Sequence, residues 1–346
     1  MVSINFDNHH NAGSLSPLEV GPSSASGMTL AYLSDPHISC MNAITARDLL
    51  GKRVFGYLKW KLHRGAKHGE SVLSALQADL AKTKPDHIAV TGDLTHLSLS
   101  AEFKKARQWL QTIGSPSKVT VIPGNHDAYV HSDWHKTMAH WSEYMLSDTQ
   151  RDDDQKVENM DRIFPCLRIR SRVAIIGVCT AQPSAPHLAV GSIGALQLHR
   201  LEKILSQTAR QKYFRVVLIH HPPVSGTVSW RKRLTDAPAL QSLLADSGVE
   251  LILHSHAHFE HRCHLKTLSG SVPVMGAPSI TALDRPVDRR ARYYIYRISP
   301  GDDNWHVRLQ VRVYSPSENR FIRKSEQSSV TATEKYRRSV SRASLP

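Results

Sequence analysis

The chain has 346 residues, 40% of them hydrophobic, with 44 lysines and arginines against 30 acidic residues and a formal charge of +14. That is enough apolar material for one large core or two small ones, which excludes a wholly disordered chain, and no stretch approaches the roughly 20 apolar residues of a membrane span. Four isolated cysteines, Cys40, Cys166, Cys179 and Cys263, form no CxxC pair; this argues against a zinc-thiolate site and predicts buried free thiols in a reducing compartment.

Residues 1–27 are rich in Ser, Gly, Asn and Pro and lack both the basic start and the apolar centre of a secretory signal. They are expected to be disordered, and the protein cytoplasmic. Short apolar runs then alternate with helix-like segments: LAYLSD, SVLSALQADLAKT, HIAVTGD, AEFKKARQWLQTI, VTVIPGNHD, VAIIGV, LQLHRLEKILSQT, RVVLIHH, APALQSLLADSG and ELILHSH. Strand, helix, strand in this order predicts an α/β sheet. The later runs PVMGAPSITAL, RYYIYRIS and WHVRLQVRVY have no helices between them and predict an added antiparallel portion. In the last of these, Val307, Leu309, Val311 and Val313 alternate with polar neighbours, as in a half-exposed strand. Residues 316–346, rich in Ser, Thr and Arg, read as a disordered basic tail, which leaves a folded domain over 28–315.

Five of the apolar runs end on metal-ligand residue types: Asp35 and His37; Asp93; Asn125, His126 and Asp127; His220 and His221; and His254, His256 and His258. In an open α/β sheet the carboxyl ends of the strands form one rim, so groups far apart in sequence can meet in one crevice. Residues two apart on an extended segment face the same way, which would let Asp35 and His37 grip one cation. Carboxylate, amide and imidazole donors without thiolate suit manganese, iron or zinc.

The ordered motifs DxH, GDx, GNHD, an isolated His and a GHxH-like segment resemble the calcineurin-like metallophosphoesterase family over roughly residues 28–315. The resemblance implies a four-layer α/β/β/α sandwich of mixed sheets with the active site at the strand carboxyl ends. It also implies two divalent metal ions: Asp35, His37 and His258 on the first, Asn125, His220 and His256 on the second, and Asp93 bridging. His126 would contact the substrate phosphate and protonate the leaving oxygen, and Asp127 would orient His126. His220 is preferred to His221 because the family pattern reads His, any residue, Pro; His256/His258 is preferred to His254/His256. Ser255 stands where the family carries glycine. Two cations about 3.5 to 4 Å apart would clamp a phosphoryl group and lower the pKa of a shared water toward about 7.

The HHPP motif and the compact domain are similar to the bacterial cyclic-nucleotide phosphodiesterase branch. Residues 45–69 mix Leu49, Phe55, Tyr57, Leu58 and Trp60 with Lys52, Arg53, Lys59 and Lys61. Such an insertion is an ordinary packed helix, a lid over an anionic substrate or a lipid-contacting element, or a nucleic-acid-binding surface, and lipid contact would suit a phosphate-bearing lipid substrate such as a nucleotide-linked diacylglucosamine. A third reading, from another class, is a nucleic-acid-binding protein with a silent metal site, for which steep salt dependence of binding would be the sign. The phosphorylated small molecule or lipid is preferred as partner because Asp93, Asn125 and His126 are all present.

Overall fold

The computed structural model describes residues 27–49, 51–63, 69–151, 159–268, 270–283, 286–302 and 304–332. In chain order the strands are β1 Met28–Leu33, β2 His87–Val90, β3 Val119–Val121, β4 Cys166–Arg170, β5 Val173–Gly177, β6 Phe214–Leu218, β7 Leu251–His254, β8 His261–Thr267, β9 Gly270–Gly276, β10 Arg292–Pro300, β11 Asn304–Ser315 and β12 Arg320–Ala332. The α-helices are α1 Arg53–His63, α2 Gly69–Thr83, α3 Ser100–Ile113, α4 Asp148–Arg151, α5 Ala195–Arg210 and α6 Ala237–Ser247.

The strands form two six-stranded sheets, ordered β12-β11-β10-β1-β2-β3 and β4-β5-β6-β7-β9-β8. In the first, β1, β2 and β3 run parallel and β10, β11 and β12 add on antiparallel. In the second, β5, β6, β7 and β9 run parallel, with β4 and β8 antiparallel at the edges. Side chains of both sheets join one apolar core that includes Leu30, Val121, Ile175, Val216 and Leu253, together with Val72, Leu76, Phe103 and Leu110 of α2 and α3. A second cluster packs Leu201, Leu205, Leu240 and Leu244 of α5 and α6 onto Val217 and Ile252. The layers are therefore helix, sheet, sheet, helix. Strands β5 and β6 are buried along their whole length because both faces are covered, hence their unbroken Val/Ile/Leu character.

The antiparallel addition is present, and Val307, Leu309, Val311 and Val313 are its buried row. The tail boundary is corrected: residues 320–332 form β12, paired with β11 along its length. Its polar composition hid it. An edge strand needs one ladder of backbone bonds and few apolar side chains, and charged residues there deter further pairing; β12 buries Phe321 and exposes Arg320 and Arg323. Beneath it, Arg312 and Tyr293 converge on Asp79 of α2, at 2.7 and 2.6 Å from Oδ2. Residues 1–26 and 333–346, which carry most of the expected disorder, lie outside the described residues, as do residues 50 and 64–68 of the insertion. All four cysteines are free, but only Cys166 and Cys179 are buried; Cys40 and Cys263 are half-buried. No described helix is long and apolar enough to cross a membrane.

Candidate metal centre

The carboxyl ends of β1, β2 and β3 in one sheet and of β6 and β7 in the other deliver their side chains to a common rim. The chain turns sharply there. Asp35, His37, Asp93, His256 and His258 have φ of 53, 44, 53, 66 and 57°, five of the eleven described non-glycine residues with positive φ. The extended geometry expected for Asp35 and His37 is thereby corrected: left-handed residues, not a pleat, aim both side chains inward. Each such residue costs on the order of 1 kcal/mol, and strain of this kind is typically concentrated at functional sites.

Three groups of ligand atoms result among the described residues; one gathers His37, His96 and His126, and the other two contain carboxylates. Asp35, His37, Asp93 and His258 form one, and Asp93, His220 and His256 the other, so Asp93 belongs to both. In the first, His258 Nε2 lies 3.3 Å from Asp35 Oδ1 and 3.1 Å from His37 Nε2. In the second, His220 Nε2 lies 3.4 Å from Asp93 Oδ1 and 3.1 Å from Asn125 Oδ1. Both Asp35 carboxylate oxygens, Asp93 Oδ2 and His256 Nε2 are buried without a hydrogen-bond partner. Buried polar atoms of this kind are costly unless something binds them, so the donor set fits a pair of divalent cations.

The competing histidines are separated by their partners. His220 directs Nδ1 to the Thr91 carbonyl oxygen at 2.7 Å, leaving Nε2 toward Asp93. His221 has both nitrogens engaged, Nδ1 with Thr180 Oγ1 at 2.7 Å and Nε2 with the Ala189 carbonyl oxygen at 3.1 Å. His254 sits behind the rim beside His261 and joins neither group. Ser255 keeps an ordinary negative φ, so glycine is not required there. Its hydroxyl donates to the Thr91 carbonyl oxygen and lies 3.0 Å from His220 Nδ1.

One expected role is corrected. Asp127 does not orient His126. Its carboxylate accepts from the backbone N–H groups of Leu94, Thr95 and Gly124 at 3.2, 2.8 and 2.9 Å, and from Thr95 Oγ1. It therefore ties the Asp93 loop to the Asn125 loop. The orienting partner of His126 is the His96 carbonyl oxygen, 2.6 Å from Nδ1, while the His126 backbone N–H donates to Asp93 Oδ1 at 2.8 Å. The geometry follows from the tight Gly124–Asp127 turn, which points the acid back under its own loop. His96 was missed by the sequence reading although its ring gathers with His37 and His126. Following the loop after Asp93 three residues further would have found it.

The electrostatics of the metal-free site divide the histidines. Burial, and the neighbouring His126, hold His37 well below its ordinary value; burial and His221 do the same for His256. Both imidazoles are thus neutral, as ligands must be. Burial opposes the charge on His220, but Asp93 and the other partners outweigh it and carry the imidazole up to about 9. Burial and the nearby Asp93 charge push Asp127 up to about 7.

A sequence model of the calcineurin-like phosphoesterase family matches residues 28–260. The chain belongs to that family. It is accordingly a metal-dependent phosphoester hydrolase, of a family that works with paired divalent metals. Among solved structures, this phosphoesterase is similar to a dimetal phosphatase from Danio rerio, at 12% identity and a TM-score of 0.54, covering 89% of this chain and 99% of that one. It is also similar to vacuolar protein sorting 29 from Cryptosporidium parvum, at 11% identity and a TM-score of 0.42 over 89% and 99% of the two chains. A third similar structure is the calcineurin-like phosphoesterase YfkN from Bacillus subtilis, at 10% identity and a TM-score of 0.38 over 89% and 91%. The likeness to the Danio rerio structure concerns the fold alone. No curated protein sequence matches the phosphoesterase.

Proposed function

We propose that the protein is a cytoplasmic phosphodiesterase acting on a phosphorylated small molecule of the 3′,5′-cyclic nucleotide type. The observation that carries the reading is the pair of ligand groups sharing Asp93, with orphaned carboxylate and imidazole atoms aimed between them. Asp35, His37 and His258 would hold one cation and Asn125, His220 and His256 the other, with manganese, iron or zinc suited to the donors. When bound, such a pair polarises phosphoryl oxygens and activates a water for in-line attack. The protein's own groups do the rest. His126, with Nδ1–H fixed on the His96 carbonyl, turns Nε2 to the substrate; burial lowers its pKa in the metal-free site, so it would pass a proton to the leaving oxygen only as the imidazolium, protonated at both nitrogens, and would end as the neutral Nδ1–H ring. Asp127 keeps the Asp93 and Asn125 loops at a fixed separation.

Turnover of a chromogenic phosphodiester and its monoester counterpart by manganese-loaded protein, with Asp93→Asn and His126→Ala in parallel, tests the reading. Diester hydrolysis that disappears in Asp93→Asn supports it. A monoester preference overturns the phosphodiesterase assignment.

A second reading is favoured by the rim. Phe55 and Leu58 of α1 and Trp230 are exposed, by 47, 49 and 62%, beside the exposed Arg231, Lys232 and Arg233. Phe55 packs on His187, and Ala189 and Gly191 in the loop beyond it donate to the Arg231 and Arg233 carbonyl oxygens, which ties α1 to the Trp230 segment through one loop. That pattern suits a phosphate-bearing lipid approached at an anionic membrane surface. Activity that requires detergent micelles would select it.

A further inference from the structure

Helix α1 departs from two ordinary rules of helix sequence. Its first turn holds no acid and is led by Lys52 and Arg53, cations at the end where the helix dipole is already positive. It also carries Gly56 in its interior, where glycine is the poorest residue after proline.

The contacts account for both. Lys52 Nζ donates to the Ser184 and Leu188 carbonyl oxygens at 3.0 and 3.2 Å and to Ser184 Oγ at 2.9 Å. Arg53 donates from Nε and Nη2 to the Leu97 and Ser98 carbonyl oxygens at 2.9 and 2.7 Å. Gly56 is a close approach: a Cβ there would collide with Leu97 Cδ2 and come 3.1 Å from Tyr129 Oη. The helix is thus pressed onto Tyr129. Lys52 Nζ sits 4.5 Å from the centroid of that ring. The ring stacks on His126, centroids 5.5 Å apart and planes at 17°, and His126 stacks on His96 at 5.6 Å and 26°.

A hydrogen bond at Nδ1 fixes one edge of the His126 ring but leaves rotation about that bond free. The stack removes it. We propose that Tyr129 and Lys52 are positioning residues, and α1 a buttress, that hold the His126 ring at the angle from which Nε2 meets the leaving oxygen. The inference rests on the reading of His126 as proton donor. It gives the insertion a task in the reaction that neither packing nor membrane contact supplies.

A proton donor matters most when the leaving group is poor, so misalignment should be selective. The test compares methyl phenyl phosphate with methyl 4-nitrophenyl phosphate, which differ in the leaving group alone. In manganese-loaded Tyr129→Leu and Lys52→Met, kcat for the phenyl ester is expected to fall about tenfold or more, with the nitrophenyl ester, both KM values and bound metal little changed. Tyr129→Phe keeps the ring and should stay near the parent protein. Side-chain ¹³C relaxation of the His126 Cε1–H group in the metal-free protein gives a readout independent of turnover: a rigid ring in the parent and in Tyr129→Phe, a mobile one in Tyr129→Leu. Equal losses on both esters with the ring still rigid would overturn the proposal. If His126→Ala itself shows no leaving-group selectivity, the proton-donor reading fails instead, while the relaxation still decides whether Tyr129 and Lys52 hold the ring.

Discussion

On one side of Asp93, His220, His256 and Asn125 are all buried, and His220 is held from behind by Thr91 and Ser255. On the other side His37 is half-buried and the His258 side chain is 44% exposed, with only Asp35 fully enclosed. One half of the centre is thus a cage with braced walls and the other an open cradle. A cation held by the cage would meet buried, braced donors and would be expected to exchange slowly. A cation held by the cradle would face solvent beside the exposed His258 and would be expected to exchange faster. Asp93 joins the two, so damage to it should not respect the difference.

The largest effect follows from that shared carboxylate. Asp93→Asn removes a charge from both groups, and we expect loss of bound metal at both positions with turnover down by about a thousandfold or more. Elemental analysis after dialysis would check it, and retention of one full equivalent would show that the halves are independent. Next in size is the contrast between His256→Ala and His258→Ala. Removing the caged imidazole should abolish one metal equivalent at any practical concentration. Removing the exposed one should weaken binding enough that excess manganese restores activity. Identical metal titrations for the two variants would erase the distinction between cage and cradle.

Much of this centre was legible because the strand-end rule is topological: apolar runs stopping at Asp35, Asp93, Asn125, His220 and His256 already imply a common rim. What the sequence hid was local. Nothing in a one-dimensional pattern says that Asp35 and His37 turn left-handed, that Asp127 folds back onto the Leu94 and Thr95 amides, or that His96 comes round to His126. Each depends on how a short loop closes against another loop. The fold shows the same divide. Buried strands such as β5 and β6 announce themselves by composition. The edges β4, β8 and β12 are held largely by backbone bonds, which composition does not record.

Ser255→Gly tests the bracing of the cage. The substitution strains nothing, since Ser255 has no positive φ, but it removes the hydroxyl lodged between Thr91 and His220. Loss of such an outer partner typically weakens a metal site about tenfold. Calorimetric titration should show that loss in the tighter of the two binding steps. If the weaker step moves instead, the braced half has been assigned to the wrong side.

The smallest effect is in pH, and it separates the halves without any substitution in the cradle. In the metal-free protein the attraction of Asp93 outweighs burial and carries His220 up to about 9, above the roughly 6.5 of an unfolded chain. A histidine raised in this way binds its proton more tightly in the folded state. Its contribution to stability is complete below about 6.5 and is lost as pH rises through about 9. Thermal unfolding of metal-free protein should therefore drop between these values, and His220→Gln should remove that part of the slope. Metal loading reverses the sign, because the cation takes the place of the proton: binding in the cage releases a proton and tightens as pH climbs over the same range. A metal-free melting curve that is flat from 6.5 to 9, with the parent and His220→Gln superimposed, would mean that the His220–Asp93 pair contributes nothing to the resting fold and that its charge is set only when metal arrives.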